Sequence, residues 1–365
     1  MTIRCDVRAG AAVLAEDPAQ WCERVRGEVE RAVREFVAAR CREHLGADGT
    51  AVLGEVITEF VRGGKYLRSA FLAAGWSTAA PETGATHRAA GSLELLHCFA
   101  LMQDDVMDES PLRRGAPAAH TAFARWHARQ GLSGSARRFG ESAAILAADL
   151  CLVWAEQMLR ECGADPGALA RASRRYDVLR SELAVGQFRD LLNESRRRPA
   201  LAEVLAVARA KSGNYTVRGP LELGAELAGA SPGVIAALGR YGTAIGEAFQ
   251  LRDDLLGVFG DPAATGKPVG DDIRARKATS VLLLAREHAP ARRELRRLDA
   301  RTTLSDNDIE RYVDIVAESG ARVRAERLID QRLGEGVEAL TAAEMAPEAR
   351  AVLVHLARSC ADRAR

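Results

Sequence analysis

The residues most able to do chemistry are carboxylates grouped at the end of an apolar segment, in the string Asp104-Asp105-Val106-Met107-Asp108. In a helix, side chains four residues apart project from the same face, so Asp104 and Asp108 would lie one turn apart and repel each other. A divalent cation between them relieves that repulsion. Magnesium suits the position because it takes one or two carboxylates and leaves its other positions to water and phosphate oxygens. The string therefore predicts a magnesium site at a helix end.

A second aspartate pair, Asp253-Asp254, follows Gln250 on a later apolar segment. The pair carries little weight alone, since Gly257 stands four residues after Asp253, where a third carboxylate would complete the pattern. Two such pairs near the ends of separate long helices, each followed by basic residues, are what a site needs to hold several metal ions around a polyanion. The sequence therefore predicts that the two pairs act together.

Basic residues are spaced to receive that polyanion. Two glycines precede Lys65 and Arg68, and glycines at a helix start let backbone N–H groups approach an anion. His97 lies two helical turns before Asp104 on the same apolar stripe. One pair of opposite charges at ~4 Å is worth about 4 kcal/mol at an effective dielectric near 20, so a diphosphate needs several partners. Further positive charge is available from Arg113, Arg114, Lys211, Lys267 and Lys277.

The chain that positions these groups is predicted to be all-α. Only 5% of its residues are aromatic, and there is little of the alternation that marks strands. Helices are predicted at 18–45, 50–61, 66–79, 83–109, 117–129, 138–162, 166–194, 199–229, 232–260, 274–288, 304–343 and 346–363. Gly and Pro clusters separate these helices, and no stretch has the composition of a linker. One all-helical domain over residues 1–365 is expected.

Composition excludes several classes of protein. With 51 Lys and Arg against 50 Asp and Glu, the net charge of +1 argues against a nucleic-acid partner or an anionic membrane surface. The seven cysteines are odd in number and lack metal-ligand spacing, which indicates reduced thiols. No signal peptide can be drawn at the start, and the longest apolar run is broken by Asp149. We expect a cytoplasmic protein without stable membrane insertion.

Ordered blocks over about residues 55–285 resemble the trans-isoprenyl diphosphate synthases, also called polyprenyl synthetases, and most of all the bacterial geranylgeranyl diphosphate synthases. The blocks are GGKYLRSAF, LLHCFALMQDDVMDESPLRRG, GQFRD, KSGNYT and FQLRDDLLGVFGDPAATGKPVGDDI. Tyr66 and Ser69 depart from the family, which usually has Arg and Pro there, and RARKATS replaces a more usual REGKRT. The resemblance implies the isoprenoid synthase fold, a bundle of about a dozen or more helices around a deep central cavity, with both aspartate-rich helix ends at its mouth.

The resemblance also implies roles for individual residues. Magnesium, as about three ions with substrate bound, would be held by Asp104, Asp108 and Asp253, with support from Asp105 and Asp254. The diphosphate of the allylic substrate would be bound by Arg113, Lys211, Lys267 and Lys277. The diphosphate of isopentenyl diphosphate would be bound by Lys65, Arg68, His97 and Arg114. The developing carbocation or the metal-bound diphosphate would be faced by Gln187, Thr216 and Gln250.

The length of the product is predicted from two residues below the first aspartates. A chain growing along this helix reaches Ala100 and Phe99, four and five residues before Asp104. A bulky aromatic residue five positions upstream with a small residue at four resembles the geranylgeranyl enzymes, whereas aromatics at both positions resemble farnesyl enzymes. The resemblance therefore implies geranylgeranyl diphosphate as the product and a homodimer as the assembly.

Other functions remain open at this point. A farnesyl diphosphate synthase belongs to the same family. A class I terpene cyclase shares the fold and the first motif, but would carry an NSE-type triad instead of Asp253-Asp254. A ferritin-like carboxylate protein would need a second copy of the Glu94-x-x-His97 pattern, which the sequence lacks. A catalytically idle regulatory homologue is disfavoured because both aspartate pairs are intact.

Overall fold

The computed structural model describes residues 16–46, 49–195, 203, 209–261 and 269–362, apart from the side chains of 193–195, 209–212 and 271. In this part of the chain the fold is all-α, as predicted. The first seven helices are α1 Pro18–His44, α2 Ala51–Val61, α3 Leu67–Ser77, α4 Gly84–Met107, α5 Ala119–Arg129, α6 Ala136–Arg160 and α7 Pro166–Ser195. A π-helix, Arg209–Arg218, follows. The remaining helices are α8 Gly219–Leu227, α9 Pro232–Phe259, α10 Asp271–Arg274, α11 Ser280–Glu287, α12 Ala289–Asp299, α13 Asp306–Glu318, α14 Ala321–Ala339 and α15 Pro347–Ala361.

Capping side chains fix the starts of the helices that matter most for the site. Thr83 forms a capping box with Thr86 at the start of α4, which satisfies backbone donors that the first turn leaves unpaired. Ser231 accepts a hydrogen bond from Val234 N–H at the start of α9, which also has a proline in its first turn. These caps set where the two long aspartate-bearing helices begin.

The C-terminal third differs from the sequence prediction. The single helix expected at 304–343 is two helices, α13 and α14, because Gly320 adopts a left-handed conformation with φ 74° between them. The helix expected at 274–288 begins only at Ser280, where Thr279 caps it. Helix α12 was not predicted, since its sequence, rich in arginine, has few apolar residues. These errors concern helix boundaries rather than fold class.

Two short elements near the site were also not predicted as they are. Residues Leu112–Arg113 and Ala116–Pro117 pair as β1 and β2, a small antiparallel hairpin directly after α4. Apart from residue 203, which is helical, the described part of the predicted 199–229 helix is the π-helix followed by α8. Insertions of π-helix are frequent at functional sites. Here the π-helix carries Lys211 and Thr216, two of the predicted site residues.

Backbones approach closely where α3 crosses α8. A Cβ added at Gly75 would lie 2.1 Å from the carbonyl oxygen of Leu221, and one added at Gly224 would lie 2.0 Å from that of Leu72. Glycine is therefore required at both crossing points, since a side chain would force the helices apart. This contact brings the start of α3, with Arg68, towards the segment that carries Thr216.

The end of α9 is anchored by a buried arginine next to Asp253. Arg252 donates from Nη1 and Nη2 to the two carboxylate oxygens of Glu326 on α14, at 2.7 and 2.6 Å, and from Nε to the carbonyl of Ala361 on α15, at 2.5 Å. Paired donation of this kind fixes orientation as well as distance. The helix end that carries the second aspartate pair is thus held by the C-terminal helices.

Candidate active site

The first aspartate cluster lies at the C-terminal end of α4. Asp105 is fully buried, and Arg113 of β1 donates to its Oδ1 from Nε at 2.8 Å and also from Nη2. The same guanidinium lies 3.8 Å from Asp104 Oδ2. Burial raises the pKa of Asp105, and the charge and hydrogen bonds of Arg113 act against that rise. Arg113 therefore compensates the buried carboxylate of Asp105 while reaching the half-buried one of Asp104.

Groups from two other segments converge on the remaining oxygens of this cluster. Gln187 of α7 donates from Nε2 to Asp104 Oδ1 at 3.0 Å. Lys277, from the segment before α11, donates from Nζ to Asp108 Oδ2 at 3.3 Å. Burial alone would lower the pKa of Lys277, but the charges of Asp108, Asp272 and Asp104 outweigh it and raise the pKa. Lys277 is thus a firmly charged ammonium held by the first cluster.

The second cluster, on α9, pairs an exposed aspartate with a buried one. Asp253 is exposed, whereas Asp254 is buried. Asp254 accepts hydrogen bonds from Ser280 N–H at 2.8 Å, from Ser280 Oγ at 2.5 Å and from Gln250 Nε2 at 2.7 Å. Burial raises the pKa of Asp254 to about 6, although these neutral donors oppose the rise. Asp254 therefore joins α9 to the start of α11 and leaves Asp253 to face outward.

One lysine connects the two acidic helix ends. Lys277 contacts Asp108 of the first cluster through its side chain, and its backbone N–H donates to the carbonyl of Asp272, at 2.9 Å. Asp272 belongs to α10, which packs against α9. These successive contacts are consistent with the expectation that the two acidic helix ends approach each other.

Beside the acidic clusters lies a group of basic and aromatic side chains. Arg68 donates from Nη2 to Thr216 Oγ1 at 3.0 Å and stacks over the ring of Tyr215, 4.5 Å from its centroid. The ring of His97 lies 6.3 Å from that of Tyr215. Thr216 therefore contacts the Arg68 group rather than either acidic cluster. The stacking holds the guanidinium of Arg68 in one orientation.

Two further cations border this group. Arg114, in a left-handed conformation with φ 52°, donates from Nη1 to the carbonyls of Arg62, at 3.3 Å, and Gly63. A Cβ at Gly64 would lie 3.3 Å from Nη2 of Arg114, so the glycine leaves room for the guanidinium. Lys65 is exposed at the start of α3. Gly63 and Gly64 of the GGKYLRS block thus accept and make room for the guanidinium of Arg114 from the hairpin.

His97 is uncharged in this setting. Its Nδ1 is buried and has no hydrogen-bond partner among the described residues. Burial and the charges of Arg68, Arg114 and Arg113 hold the pKa of His97 well below its usual range. A neutral imidazole with an unused nitrogen beside three arginines is arranged to meet an anion that those arginines attract.

A buried carboxylate supports α3 and α4 behind the arginines. Glu94 accepts a hydrogen bond from Ser69 Oγ at 2.6 Å, and Ser69 Oγ also lies 3.0 Å from the carbonyl of Ala90. Burial raises the pKa of Glu94, opposed by Ser69 and Arg68. Sequence reasoning noted Ser69 only as a departure from the family proline and missed this pair.

Reasoning from the sequence also missed Tyr215 and Ser280. Tyr215 lies in the KSGNYT block next to the predicted Thr216, and Ser280 ends the segment that carries Lys277. Their position beside predicted residues was the only signal in the sequence. Phe99 and Ala100, the residues expected to limit chain length, are half-buried on α4 and pack against the main core.

Two predicted lysines cannot be placed. Lys267 lies outside the described residues, and so does the side chain of Lys211, whose backbone belongs to the π-helix.

A cavity of about 400 Å³ opens beside Arg113 and Arg114, between α2 and the hairpin. Its walls include Val56, Phe60, Ala116 and Pro117. The arginines thus border a space whose walls are both apolar and charged, since Glu55, Glu59 and Arg62 also line it.

The donor set suits magnesium. Asp104 and Asp108 are half-buried carboxylates one turn apart, and Asp253 presents another on a second helix. Among the described residues no group of three or more Asp, Glu, His or Cys side chains is close enough to hold a metal ion alone. Magnesium accepts such sparse sites, because it binds through one or two carboxylates and takes its other ligands from water and phosphate. The residues therefore fit an ion shared with a diphosphate.

The polyprenyl synthetase family model matches residues 50–316. The chain belongs to the polyprenyl synthetase family. It is 33% identical over 332 residues to the geranylgeranyl diphosphate synthase of Mycobacterium tuberculosis, covering 90% of this chain and 88% of that protein. It is also 33% identical over 305 residues to the (2E,6E)-farnesyl diphosphate synthase of Mycobacterium bovis, covering 82% of this chain and 80% of that one.

A solved structure has the same fold. The geranylgeranyl pyrophosphate synthase of Corynebacterium glutamicum, crystallised with isoprenyl diphosphate and magnesium, superposes with a TM-score of 0.88 at 36% sequence identity. The match covers 94% of this chain and 99% of that one. The predicted fold class and the predicted family of this polyprenyl synthetase are therefore confirmed.

Proposed function

We propose that this polyprenyl synthetase is a trans-prenyltransferase that condenses isopentenyl diphosphate with allylic diphosphates and makes geranylgeranyl diphosphate. The observation that carries the proposal is the contact of Lys277 with Asp108, which connects the two acidic helix ends beside the Arg68 and His97 group. Both similarity to geranylgeranyl enzymes and the divalent metal in a related crystal structure support it.

Two diphosphates would bind to two sets of residues. The allylic diphosphate would lie between the acidic clusters, where Arg113 and Lys277, with Lys211 and Lys267, supply positive charge. Magnesium, about three ions held by Asp104, Asp108 and Asp253, would neutralise the charge of the departing diphosphate. The diphosphate of isopentenyl diphosphate would bind to Lys65, Arg68, His97 and Arg114. His97 would donate a hydrogen bond to a diphosphate oxygen there.

The reaction would then follow from where charge develops. The allylic C–O bond breaks and its electron pair leaves with the diphosphate, which Arg113 and Lys277 stabilise as its charge grows. The double bond of isopentenyl diphosphate attacks the resulting carbocation, and the released diphosphate takes the proton that restores a double bond. Gln187 and Gln250 would face the cation or the diphosphate. The apolar face of α4 would exclude water from the cation.

The product length would be set on α4. Phe99 would form the floor against which the growing chain stops, while Ala100 leaves room beside it. Replacing Phe99 by alanine would deepen the pocket, so Phe99→Ala is expected to yield longer products, identified by chromatography after removal of the diphosphate. An unchanged product would show that Phe99 does not limit the length of the chain.

A direct assay separates the candidate functions. The purified chain is incubated with magnesium, isopentenyl diphosphate and each of the dimethylallyl, geranyl and farnesyl diphosphates, and the product is identified. The proposal expects geranylgeranyl diphosphate, with pyrophosphate released only when isopentenyl diphosphate is present. Accumulation of farnesyl diphosphate would indicate a farnesyl synthase. A hydrocarbon formed without isopentenyl diphosphate would indicate a terpene cyclase.

The protein is further proposed to act as a cytoplasmic homodimer. Helix α6 is long and apolar enough to cross a membrane, yet half of its most apolar window is buried inside the protein. Its exposed face carries Ile145, Leu146 and Val153 along one stripe. A second copy would cover this stripe more readily than lipid would, because Asp149 lies within it. Light scattering of the wild type and of Leu146→Asp would show a dimer and its loss.

A further inference from the structure

The Glu94-x-x-His97 pattern of α4 has one member to which the proposed function gives no role. His97 is assigned to the diphosphate of isopentenyl diphosphate, whereas Glu94 is buried and contacts α3. Side chains three residues apart are neighbours on the surface of a helix. Glu94 and His97 therefore lie on one side of α4, next to the start of the helix that carries Arg68.

The start of α3 has no capping side chain of its own. The N-cap residue, Tyr66, adopts a left-handed conformation with φ 48°, and its side chain forms no capping hydrogen bond. The first N–H groups of a helix have no partner within the helix, so they need an acceptor from elsewhere. Glu94 supplies one, since its Oε1 accepts hydrogen bonds from Ser69 N–H at 3.4 Å and from Ser69 Oγ at 2.6 Å. Helix α4 therefore caps α3 in place of a local residue.

The capped residue directly follows Arg68 in the chain. The guanidinium of Arg68 is held by Thr216, at 3.0 Å, and by the ring of Tyr215. The backbone from which that side chain starts is held by the contact of Ser69 with Glu94. Arg68 is thus fixed at both ends, and one of the two contacts comes from the turn of α4 that leads to His97.

We propose that Glu94 is a positioning residue for isopentenyl diphosphate, and that by capping α3 from α4 it sets the distance between Arg68 and His97. The inference rests on the proposed function, which assigns the diphosphate of that substrate to these two residues. A small displacement of a binding group weakens its contact with the substrate. Loss of Glu94 should therefore weaken binding of isopentenyl diphosphate and spare the allylic substrate, which is assigned to other residues.

Steady-state kinetics with each substrate varied in turn test the inference. In Glu94→Leu the KM for isopentenyl diphosphate should rise roughly tenfold, while the KM for farnesyl diphosphate stays within about twofold of the wild type. Glu94→Gln keeps an acceptor for Ser69, so its KM for isopentenyl diphosphate should stay within about threefold of the wild type. An unchanged KM for isopentenyl diphosphate in Glu94→Leu, or equal increases for both substrates, would overturn the inference.

A milder variant covers the case in which Glu94→Leu does not fold. Ser69→Ala removes the hydroxyl donor to Glu94 and keeps the N–H donor. The KM for isopentenyl diphosphate should then rise about threefold, with the KM for farnesyl diphosphate unchanged. Thermal melts report folding for each variant. A folded Ser69→Ala protein with the wild-type KM for isopentenyl diphosphate would overturn the inference.

A second carboxylate, at the other end of α3, provides the matched control. Glu82 accepts hydrogen bonds from Oγ of Ser77, the last residue of α3, at 3.1 Å and from Trp21 Nε1 at 2.5 Å. Glu82→Leu should lower the melting temperature, since it leaves these donors without their acceptor, but should keep the KM for isopentenyl diphosphate within about twofold of the wild type. If Glu82→Leu raises that KM as much as Glu94→Leu does, Glu94 has a structural role only and the inference is overturned.

A double variant shows whether Glu94 acts through Arg68. Arg68→Met removes the guanidinium that Glu94 is proposed to position. Adding Glu94→Leu should then raise the KM for isopentenyl diphosphate by less than about twofold more, because two residues that act through one contact do not add. A further tenfold rise, roughly that of Glu94→Leu alone, would show that Glu94 acts independently of Arg68 and would overturn the inference.

Failure of this inference can be told from failure of the proposed function. The product assay on the wild type decides the proposed function, and no prenyl product from any substrate pair would end it. An active wild type together with an unchanged KM for isopentenyl diphosphate in Glu94→Leu would remove only the role of Glu94.

Discussion

The two aspartate pairs look alike in sequence but differ in what neutralises their buried member. In both pairs the second aspartate, Asp105 or Asp254, is buried, while the first is half-buried or exposed. Asp105 is bound by the guanidinium of Arg113, whereas Asp254 is bound by the neutral donors of Ser280 and Gln250. Each pair thus contains one more exposed aspartate, which is proposed to bind metal, and one buried aspartate that acts as an anchor, and the two anchors use different chemistry.

The difference has a consequence for charge in the site. Arg113 neutralises Asp105 and also lies 3.8 Å from Asp104, so the first cluster already contains a cation. In the second cluster no guanidinium of a described residue binds Asp254, and burial raises the pKa of Asp254 to about 6. The first anchor therefore depends on an ion pair, and the second depends on a proton or on its hydrogen bonds.

Substituting a proposed metal ligand should cost far more activity than substituting a buried anchor. Asp104→Asn should lower the turnover rate on the order of 10³-fold, because it removes a carboxylate proposed to hold the magnesium that neutralises the departing diphosphate, while folding stays near wild type. Asp254→Asn should lower it far less. Initial rates with isopentenyl and farnesyl diphosphates at saturating magnesium measure both. Equal losses in the two variants would contradict the division into metal-binding and anchoring residues.

Breaking the charged anchor should cost stability. Arg113→Met leaves Asp105 buried and unpaired, so the free energy of unfolding should fall by about 3 kcal/mol in denaturant titrations with chelator present. The double variant Arg113→Met/Asp105→Leu should regain most of that loss, since no buried charge remains. If the single variant is as stable as the wild type, Asp105 is not held by Arg113 in solution.

Asp254, the anchor with neutral partners, should make the stability of the folded chain depend on pH. The pKa of Asp254 is about 6 in the folded chain and about 3.9 in an unfolded one. Below pH ~4 the carboxyl is protonated in both states. As pH rises towards ~6 the unfolded state ionises first, and the folded state loses stability relative to it.

Asp254→Asn removes this titration. The stability of the wild type relative to the variant should therefore fall by about 2–3 kcal/mol between pH 4 and pH 7, as an upper value from the size of the pKa shift. Thermal melts in chelator across that range measure it. Parallel pH profiles for the two proteins would show that Asp254 is not buried as described.

The smallest effect concerns one hydrogen bond of the second anchor. Ser280→Ala removes the hydroxyl donor 2.5 Å from Asp254 Oδ2 but keeps the backbone N–H. We expect a loss of about 1 kcal/mol at pH 4, where the carboxyl is neutral, and about 2 kcal/mol at pH 7.5, where it is charged. Denaturant titrations at the two pH values measure the loss, and a loss that is the same at both would indicate that Asp254 does not ionise in this range.

The same two clusters show which features of the site the sequence could predict. The spacing of Asp104 and Asp108 and the recurrence of a second pair predict a magnesium site, because helical geometry relates spacing to face, and that site stays a proposal. The sequence did not predict that Arg113 binds Asp105 or that Ser280 binds Asp254, since both contacts join residues from separate segments. Nor did it predict that Asp272 lies against Gly257 of α9, where an added Cβ would be 1.9 Å from its Oδ2.

The fold shows the same division. Helical periodicity predicted α4 and α9 within a few residues, whereas the break at Gly320 and helix α12 were missed. A glycine within an otherwise helical pattern does not by itself predict that the helix ends there, so the break at Gly320 was missed. Helix α12 is rich in arginine and buries only a narrow apolar stripe, so its pattern is weak. Local patterns therefore specified the aspartate-bearing helices, and tertiary contacts specified their partners.

Asp104 and Asp253 are proposed to act on one shared group of ions. Calorimetry can decide this by comparing the magnesium-dependent binding of inorganic pyrophosphate in four proteins: the wild type, Asp104→Asn, Asp253→Asn and the double variant. A shared site predicts that each single variant loses most of the binding and that the double variant loses little more. Losses that add independently, or binding that persists in either single variant, would show two separate sites and contradict the account.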